Sequence, residues 1–333
     1  MTMQRSTFAR SSETISRLGF GAMGLTGMFG KQDDAAMIRS ILYALENGIN
    51  FIDTARVYGR SEEIIGKALK EWSGAKPFIA TKAAASSIPH ALPGAGFHFP
   101  MDVQHAYPQG SIRASVEQSL REMDIEVIDL IQLHQYWPHW DSVDYWMEEL
   151  LRLKEEGKVN FIGVSLPDHR HDHAISLVRA GVIDSVQTII NIFDSVALDC
   201  LVPICQENNV AVIARVILDE GGLTGFLKED TVIGEADYRY NYFDCQPRQV
   251  YLDKIERLRQ YVPVYASSLT ELAIKFVLQH PGVTVAISSM QVLEYAAENI
   301  AAAGKEPLPD DVFELIKIRE RWIRHFYHAR RHL

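Results

Sequence analysis

The chain has 333 residues, 47% of them hydrophobic, enough for a large buried core and ordinary for a globular protein. Its formal net charge of -10 argues against general nucleic-acid binding, which needs clustered Lys and Arg, but leaves room for a phosphate-bearing cofactor held by a few local donors. No run of 18 apolar residues marks a membrane span and Met1–Arg10 lacks the apolar core of a signal peptide; Cys200, Cys205 and Cys245 have no paired spacing, so a reducing, cytoplasmic setting is expected.

Along the chain, short apolar runs end in a small or polar residue and are followed by amphipathic helical stretches. The runs are Leu18–Gly21, Asn50–Asp53, Phe78–Lys82, Leu130–His134, Phe161–Ser165, Ser185–Ile189, Val210–Ala214 and Thr284–Ile287. Continuous apolar runs are the mark of strands buried on both faces. Between them, Asp33 or Asp34 caps a helix through Asn47, with Gly48 after it. Ser61–Lys70, Ser111–Met123 and Asp144–Glu156 carry apolar residues at helical spacing. Eight such units predict one domain over residues 1–333: a (β/α)8 TIM barrel with a short N-terminal hairpin and long loops at its C-terminal face. An open doubly wound sheet is the alternative, since Gly19 to Gly24 spells GxGxxG, but no acidic residue follows in the right setting for a ribose. Ala83–Gly110, rich in Pro and Gly, is a lid candidate over the barrel mouth. The basic, aromatic tail Arg319–Leu333 reads as a final helix or strap with a solvated face.

Three predicted strands end in titratable groups, Asp53, Lys82 and His134, and Tyr58 follows Asp53 by five residues. The C-terminal ends of barrel strands open on the mouth, where catalytic groups belong. A phenol titrates near 10, too high for easy proton exchange at neutrality. A nearby ammonium should lower that value, an Asp should keep the ammonium paired, and a His can orient or polarise a carbonyl. Each residue has a plainer role as well: a turn cap for Asp53, a buried ion-pair partner for Lys82, a hydrogen-bonded core group for His134, a packing aromatic for Tyr58. Their joint placement at strand ends favours the chemical reading.

Phe51-Ile52-Asp53-Thr54-Ala55, with Tyr58-Gly59 and Ser61-Glu62, resembles the signature of the aldo-keto reductase family, as does Ser119-Leu120 leading to Ile128-Asp129-Leu130 and His134. The resemblance runs from about Ser16 to Asn299. It implies a catalytic tetrad at Asp53, Tyr58, Lys82 and His134 and direct hydride transfer with a nicotinamide, without a metal. It places cofactor contacts at Gly21, Ala22, Met23 and Asp53, and, around the nicotinamide, at Ser165, Gln187 and Asn191. Leu166 stands where the family usually has Asn. Arg215, Val216, Leu218, Gly221, Thr224 and Gly225 match the segment that stacks on the nicotinamide and covers the pyrophosphate; Arg215 replaces a common aromatic, and its guanidinium plane can still stack. Glu298-Asn299 resembles the adenine contact. Ser289, Gln291 and Tyr295 fall where cations for a 2′-phosphate are expected, and none is basic. The family plan favours NADP(H), with NAD(H) open.

His169, His171 and His173 alternate on a segment after a strand, a spacing that can bind Zn. The plainer reading is a polar loop that starts a helix. Trp137, His139 and Trp140 follow His134 and can wall a substrate pocket or simply pack. The function expected is therefore a nicotinamide-dependent oxidoreductase acting on an aldehyde, ketone or sugar. A cofactor-binding regulatory barrel with little turnover and a metal-dependent barrel hydrolase are the alternatives.

Overall fold

The computed structural model describes residues 3–30, 33–85, 102–140, 144–235, 237–243 and 247–322. A two-stranded antiparallel hairpin, β1 (Arg5–Thr7) and β2 (Thr14–Ser16), precedes eight parallel strands. These are β3 (Leu18–Gly21), β4 (Phe51–Asp53), β5 (Phe78–Ala83), β6 (Ile128–Leu133), β7 (Val159–Ser165), β8 (Ser185–Ile189), β9 (Ala211–Arg215) and β10 (Val285–Ser289). They pair in chain order, and β10 closes on β3 through the register Ala286–Leu18 to Ser289–Gly21, giving the expected closed barrel.

The helices are α1 (Asp34–Glu46), α2 (Ser61–Glu71), a short α3 (Val103–Ala106), α4 (Ser111–Met123), α5 (Tyr145–Glu155), α6 (Ile175–Ala180) and α7 (Ala197–Glu207). After β9 come α8 (Arg239–Phe243), α9 (Arg248–Leu258) and α10 (Leu269–Gln279). The last two are α11 (Leu293–Ala303) and α12 (Asp310–Arg319). The cap residues read from the sequence act as such. The Asp33 side chain accepts from the Ala36 amide at 2.9 Å, and Gly48 takes the left-handed φ of 92° that ends α1. Of the lid candidate, residues 86–101 lie outside the described residues, as do Cys245 and the tail beyond Trp322. Among the described residues no helix is long and apolar enough to cross a membrane.

Side chains alternate across each strand, and this alternation builds the site. Residues of one parity (Ile52, Ile79, Ile131, Ile162, Val186, Val212) face the helices in the larger core. Those of the other parity fill the barrel: Phe51, Phe78, Ala80, Leu130, Ala211, Ile213, Val285 and Ile287, with Phe161 against them. Going up each strand, the inward position then turns polar. Phe51 gives way to Asp53, Ala80 to Lys82, Leu130 to Gln132, Ile213 to Arg215 and Ile287 to Ser289. The barrel thus has an apolar base and a polar mouth. Strand edges differ slightly from the sequence reading because polar side chains take over there. Asn50 precedes β4, accepting from the Ser16 amide at 2.6 Å, and the Thr284 hydroxyl accepts from Val212 at 3.0 Å before β10 begins.

The hairpin plugs the base. Phe8, in its turn, is fully buried, with its ring 4.7 Å from that of Phe78 and 5.2 Å from that of Phe161. Replacing Phe8 with Ala should lower stability by about 3–5 kcal/mol, the range for emptying a large buried aromatic. Urea unfolding followed by fluorescence measures it, and a loss below 1 kcal/mol would show that the plug contributes little.

Candidate active site

The four strand-end residues converge. Lys82 Nζ donates to Asp53 Oδ1 at 2.5 Å and to the Thr54 carbonyl at 2.8 Å, and both charged side chains are almost wholly buried. The second Asp53 oxygen accepts from Gln187 Nε2 at 2.8 Å and from Gln132 Nε2 at 3.3 Å. Lys82 Nζ lies 5.2 Å from the centre of the Tyr58 ring, and that ring meets the His134 imidazole edge-on at 5.7 Å. His134 stands one residue beyond β6, continuing the inward parity of Leu130 and Gln132. Behind the strands, Thr81 donates to Glu62 at 2.6 Å, Glu62 pairs with Arg56, and Arg56 reaches Glu122 at 2.7 Å; Thr54 and Ser61 share a hydroxyl bond. The Ser61-Glu62 part of the sequence signature is therefore a brace for β4 and β5.

Electrostatics corrects one expectation. The Tyr58 phenol is pushed up from its ordinary value, not down, by burial, then by the Asp53 carboxylate, with Arg215 opposing and Glu220 adding. Lys82 does not lower it because its charge is matched by Asp53 at contact distance. Burial pulls the Lys82 ammonium down, and Asp53 partly offsets this. His134 is lowered to about 3 by burial, then by the cationic Lys82 and Arg215. At neutral pH the phenol is protonated and the imidazole is neutral.

The expected cofactor contacts divide. Ser165 is buried at the end of β7 and pairs in register with Gln187. Gln187 is engaged by Asp53 and Gln132, so it belongs to the charge cage as much as to any nicotinamide contact. Asn191 is a loop brace: it donates to the Val216 carbonyl at 3.0 Å and accepts from the amides of Phe193 and Asp194. It thereby holds Val216, a β-branched residue, at a left-handed φ of 56°. Arg215 Nη2 donates to Asp168 at 2.7 Å and to the Leu166 carbonyl at 2.9 Å. The amides of Gly221, Thr224 and Gly225 bond within their own turns, while that of Leu218 has no protein acceptor among the described residues. Gly21, where β10 approaches so closely that a Cβ would lie 3.0 Å from the Ser288 carbonyl, leads into Ala22 and Met23. Gly24 lies against the Gln291 side chain. Ser289 ends β10. Asn299 is buried and donates to Ser288 Oγ at 3.0 Å, Glu298 is exposed, and Tyr295 is 51% exposed on α11.

Among the buried side-chain atoms that find no hydrogen-bond partner within the described residues are His134 Nδ1, Arg215 Nε and Gln291 Oε1. They belong to residues at or just past the ends of β6, β9 and β10, at the mouth of the barrel. A ligand carrying an amide, ribose hydroxyls and phosphates suits these groups, because each buried polar atom needs a partner. A nicotinamide dinucleotide has that form.

The other sequence candidates separate cleanly. Trp137 is half-buried with its ring 5.2 Å from His173, beside the mouth, and His139 is exposed. Of the two readings for Trp140, pocket wall or simple packing, the second holds: it is buried and packs edge-on against Tyr107 and Tyr136. The three histidines diverge. His171 bridges Thr188 at 2.8 Å and Asp194 at 3.0 Å, His169 bonds the other Asp194 oxygen at 2.6 Å, and His173 turns to Trp137. Burial raises Asp194, but the two imidazoles outweigh that and hold it well below the usual carboxylate range. Among the described residues no group of three His, Cys, Asp or Glu side chains is arranged around a metal position.

Residues 17–320 match the model of the Aldo/keto reductase family. The chain belongs to the aldo/keto reductase family. A relative from Escherichia coli, "NADH-specific methylglyoxal reductase", is 30% identical over 315 residues, 90% of this chain and 93% of its own. Among solved structures, a glycerol dehydrogenase from Gluconobacter oxydans is 27% identical, with a TM-score of 0.76 over 96% of this chain and 97% of its own. An aldo-keto reductase from Bacillus halodurans gives 25% and 0.72, with 95% of each chain covered. As a member of the family, this aldo/keto reductase is an oxidoreductase using NADP(H) or NAD(H) on a small carbonyl or alcohol.

Sequence reasoning missed Gln132 and Asp194. A Gln inside the apolar run Leu130-Ile131-Gln132-Leu133 was a usable signal, since a buried amide needs a partner; Asp194 gave none. The His134 shift is measurable. With a folded value near 3 and an unfolded value near 6.5, the unfolded chain binds the extra proton in between. Stability from this group is full above pH 6.5 and is lost as pH falls from 6.5 toward 3. The His134 ring resonance, assigned by comparison with His134→Asn, should not titrate between pH 8 and 5. A midpoint near 6.5 in the NMR titration would contradict a desolvated imidazole.

Proposed function

We propose that this enzyme reduces small carbonyl compounds, with Tyr58 as proton donor, His134 as the group that orients the carbonyl oxygen, and Lys82 and Asp53 as the pair that fixes and polarises the site. The observation that carries this is the convergence of the Tyr58 and His134 rings over the buried Lys82–Asp53 pair. When bound, the nicotinamide supplies the hydride. The chain's own residues handle the oxygen. The neutral imidazole of His134 can donate a hydrogen bond, and Tyr58, held in its protonated form, delivers a proton to the oxygen as negative charge develops on it. In the reverse direction the same hydroxyl would serve as the base. Ser165, Gln187 and Arg215 flank the nicotinamide in this reading, and Trp137 walls the substrate side.

Turnover by a cognate panel tests the assignment. Tyr58→Phe should cut kcat for reduction roughly 10²–10⁴-fold, the usual contribution of general acid catalysis. Cofactor affinity, read by quenching of tryptophan fluorescence, should stay unchanged. Wild-type turnover in the variant would remove Tyr58 from the chemistry, and a wild-type protein that binds cofactor yet reduces nothing would favour the regulatory barrel.

The cofactor reading follows from Ser289, Gln291 and Tyr295, which present no cation, and from the buried Gln291 carbonyl oxygen, an acceptor suited to a ribose hydroxyl and not to a phosphate. Both NAD(H) and NADP(H) should therefore bind with little discrimination. Tyr295 is exposed enough to accept a longer side chain. Tyr295→Arg should tighten NADPH by roughly 10-fold, the worth of one charge-assisted hydrogen bond, and leave NADH nearly untouched. If fluorescence titration shows neither affinity moving, α11 does not line the adenosine end.

A further inference from the structure

Arg215 is the last residue of β9 and continues the inward parity of Ala211 and Ile213, so its side chain starts from the inner face at the mouth. It stands in register with Ile189 of β8, and Gln187 of that strand pairs in turn with Ser165 of β7. The guanidinium is held from one side. Nη2 donates to the Leu166 carbonyl at 2.9 Å and to Asp168 Oδ1 at 2.7 Å, and among the described residues Arg215 pairs with no other carboxylate. The loop that carries Asp168 is itself fixed. His169, at a left-handed φ of 60°, bonds Asp194 at 2.6 Å, and Asn191 links the Asp194 amide to the Val216 carbonyl. Asp168 is therefore kept at contact distance from a largely buried cation, although its own side chain is 55% exposed.

A cation at this position acts unequally on the two forms of a nicotinamide. The reduced ring is neutral. Once its hydride has left with both electrons for the carbonyl carbon, and the Tyr58 proton has gone to the oxygen, the ring carries a positive charge. Like charges repel more strongly in a poorly solvated site than in water. A guanidinium beside the ring with no counter-ion would therefore disfavour the oxidised cofactor and leave the reduced form nearly untouched. A carboxylate in contact with the guanidinium turns the lone charge into a pair, whose field falls away much faster with distance. The pair is ionic: burial works against the Arg215 charge, and Asp168 more than offsets it.

We propose that Asp168 is a positioning residue that acts through Arg215: its carboxylate cancels the guanidinium charge beside the nicotinamide site and so sets the balance between oxidised and reduced cofactor. The proposal rests on the reading above that Arg215 flanks the nicotinamide. Anchoring and cancelling are separable roles. The Leu166 carbonyl already holds Nη2, and an asparagine at position 168 could still accept its second hydrogen bond. Neither supplies a negative charge. Asp168→Asn therefore keeps the anchor and removes the counter-ion alone. Because Asp168 is half-exposed, solvent screens part of its effect, and the change expected is at the low end of what a neighbouring charge produces.

The test measures the affinities of NAD⁺, NADH, NADP⁺ and NADPH by fluorescence quenching for wild type, Asp168→Asn, Asp168→Glu and Arg215→Met. The quantity read is the ratio of Kd for the oxidised form to Kd for the reduced form, which a smaller folded fraction does not alter. Asp168→Asn should raise that ratio roughly 10-fold, through weaker binding of the oxidised form. Asp168→Glu restores the charge and should return the ratio close to that of wild type. Arg215→Met removes the cation, leaves the carboxylate, and should move the ratio the other way. Equal weakening of both forms by Asp168→Asn would reduce Asp168 to an anchor and overturn the proposal. An unchanged ratio in Asp168→Asn, with a shifted one in Arg215→Met, would overturn it too. If Arg215→Met also leaves the ratio unmoved, the placing of Arg215 beside the nicotinamide fails first, and that arm identifies it.

Discussion

A lysine and an aspartate sit side by side inside the barrel, and the mouth is organised around keeping them there. Removing two charges from water costs several kcal/mol per ion, and their attraction offsets this only with good geometry and with the remaining hydrogen-bonding capacity filled. Lys82 meets Asp53 and the Thr54 carbonyl, and Asp53 fills its second oxygen with amides from β6 and β8. Four strands are therefore held in register at the height where chemistry takes place. The same pair bears on the direction of the Tyr58 shift: the ammonium beside it is neutralised at contact, so the ring feels burial and the carboxylate more than the cation.

Around this centre the loops brace one another. The loop after β7 is tied to β9 by Arg215 and to the loop after β8 by His169 and His171 on Asp194, and Asn191 links β8 to β9 through Val216. Positions on rigid elements are more precise than positions on free loops. Here the loops acquire rigidity from buried polar bonds.

The strands, the barrel and three inward-facing strand-end groups were legible in the sequence because they depend on local period and local apolarity. Asp53 and Lys82 announced themselves as charges ending buried runs. What stayed hidden was pairing across the barrel. Gln187 was read as a nicotinamide contact, and its bond to Asp53 arises from a register between strands far apart in sequence. For Trp140 the sequence left a pocket wall and simple packing open, and the long-range contacts that put it in the core had no local signal. The Tyr58 shift runs opposite to the sequence reading because burial of the phenol, and then the repulsion of the Asp53 carboxylate, outweigh the paired ammonium. His169, His171 and His173 were spaced for a metal along the chain, but the backbone after β7, with His169 at a left-handed φ of 60°, sends the first two to the oxygens of Asp194 and the third to the Trp137 ring.

The seam between β10 and β3 joins the two ends of the barrel, and the hairpin reinforces it: Ser6 donates to the Thr284 carbonyl and Arg17 to those of His280 and Val283. Contacts of such long sequence separation carry the greatest loop-closure entropy and form late in folding. Until they form, the orphaned groups at β6 and β9 and the one beyond β10 belong to an open sheet and do not share a face. Ring closure is thus what assembles the ligand groove, and any ligand that spans the seam binds the closed chain alone. Through mass action it would act as a latch on the last step of folding.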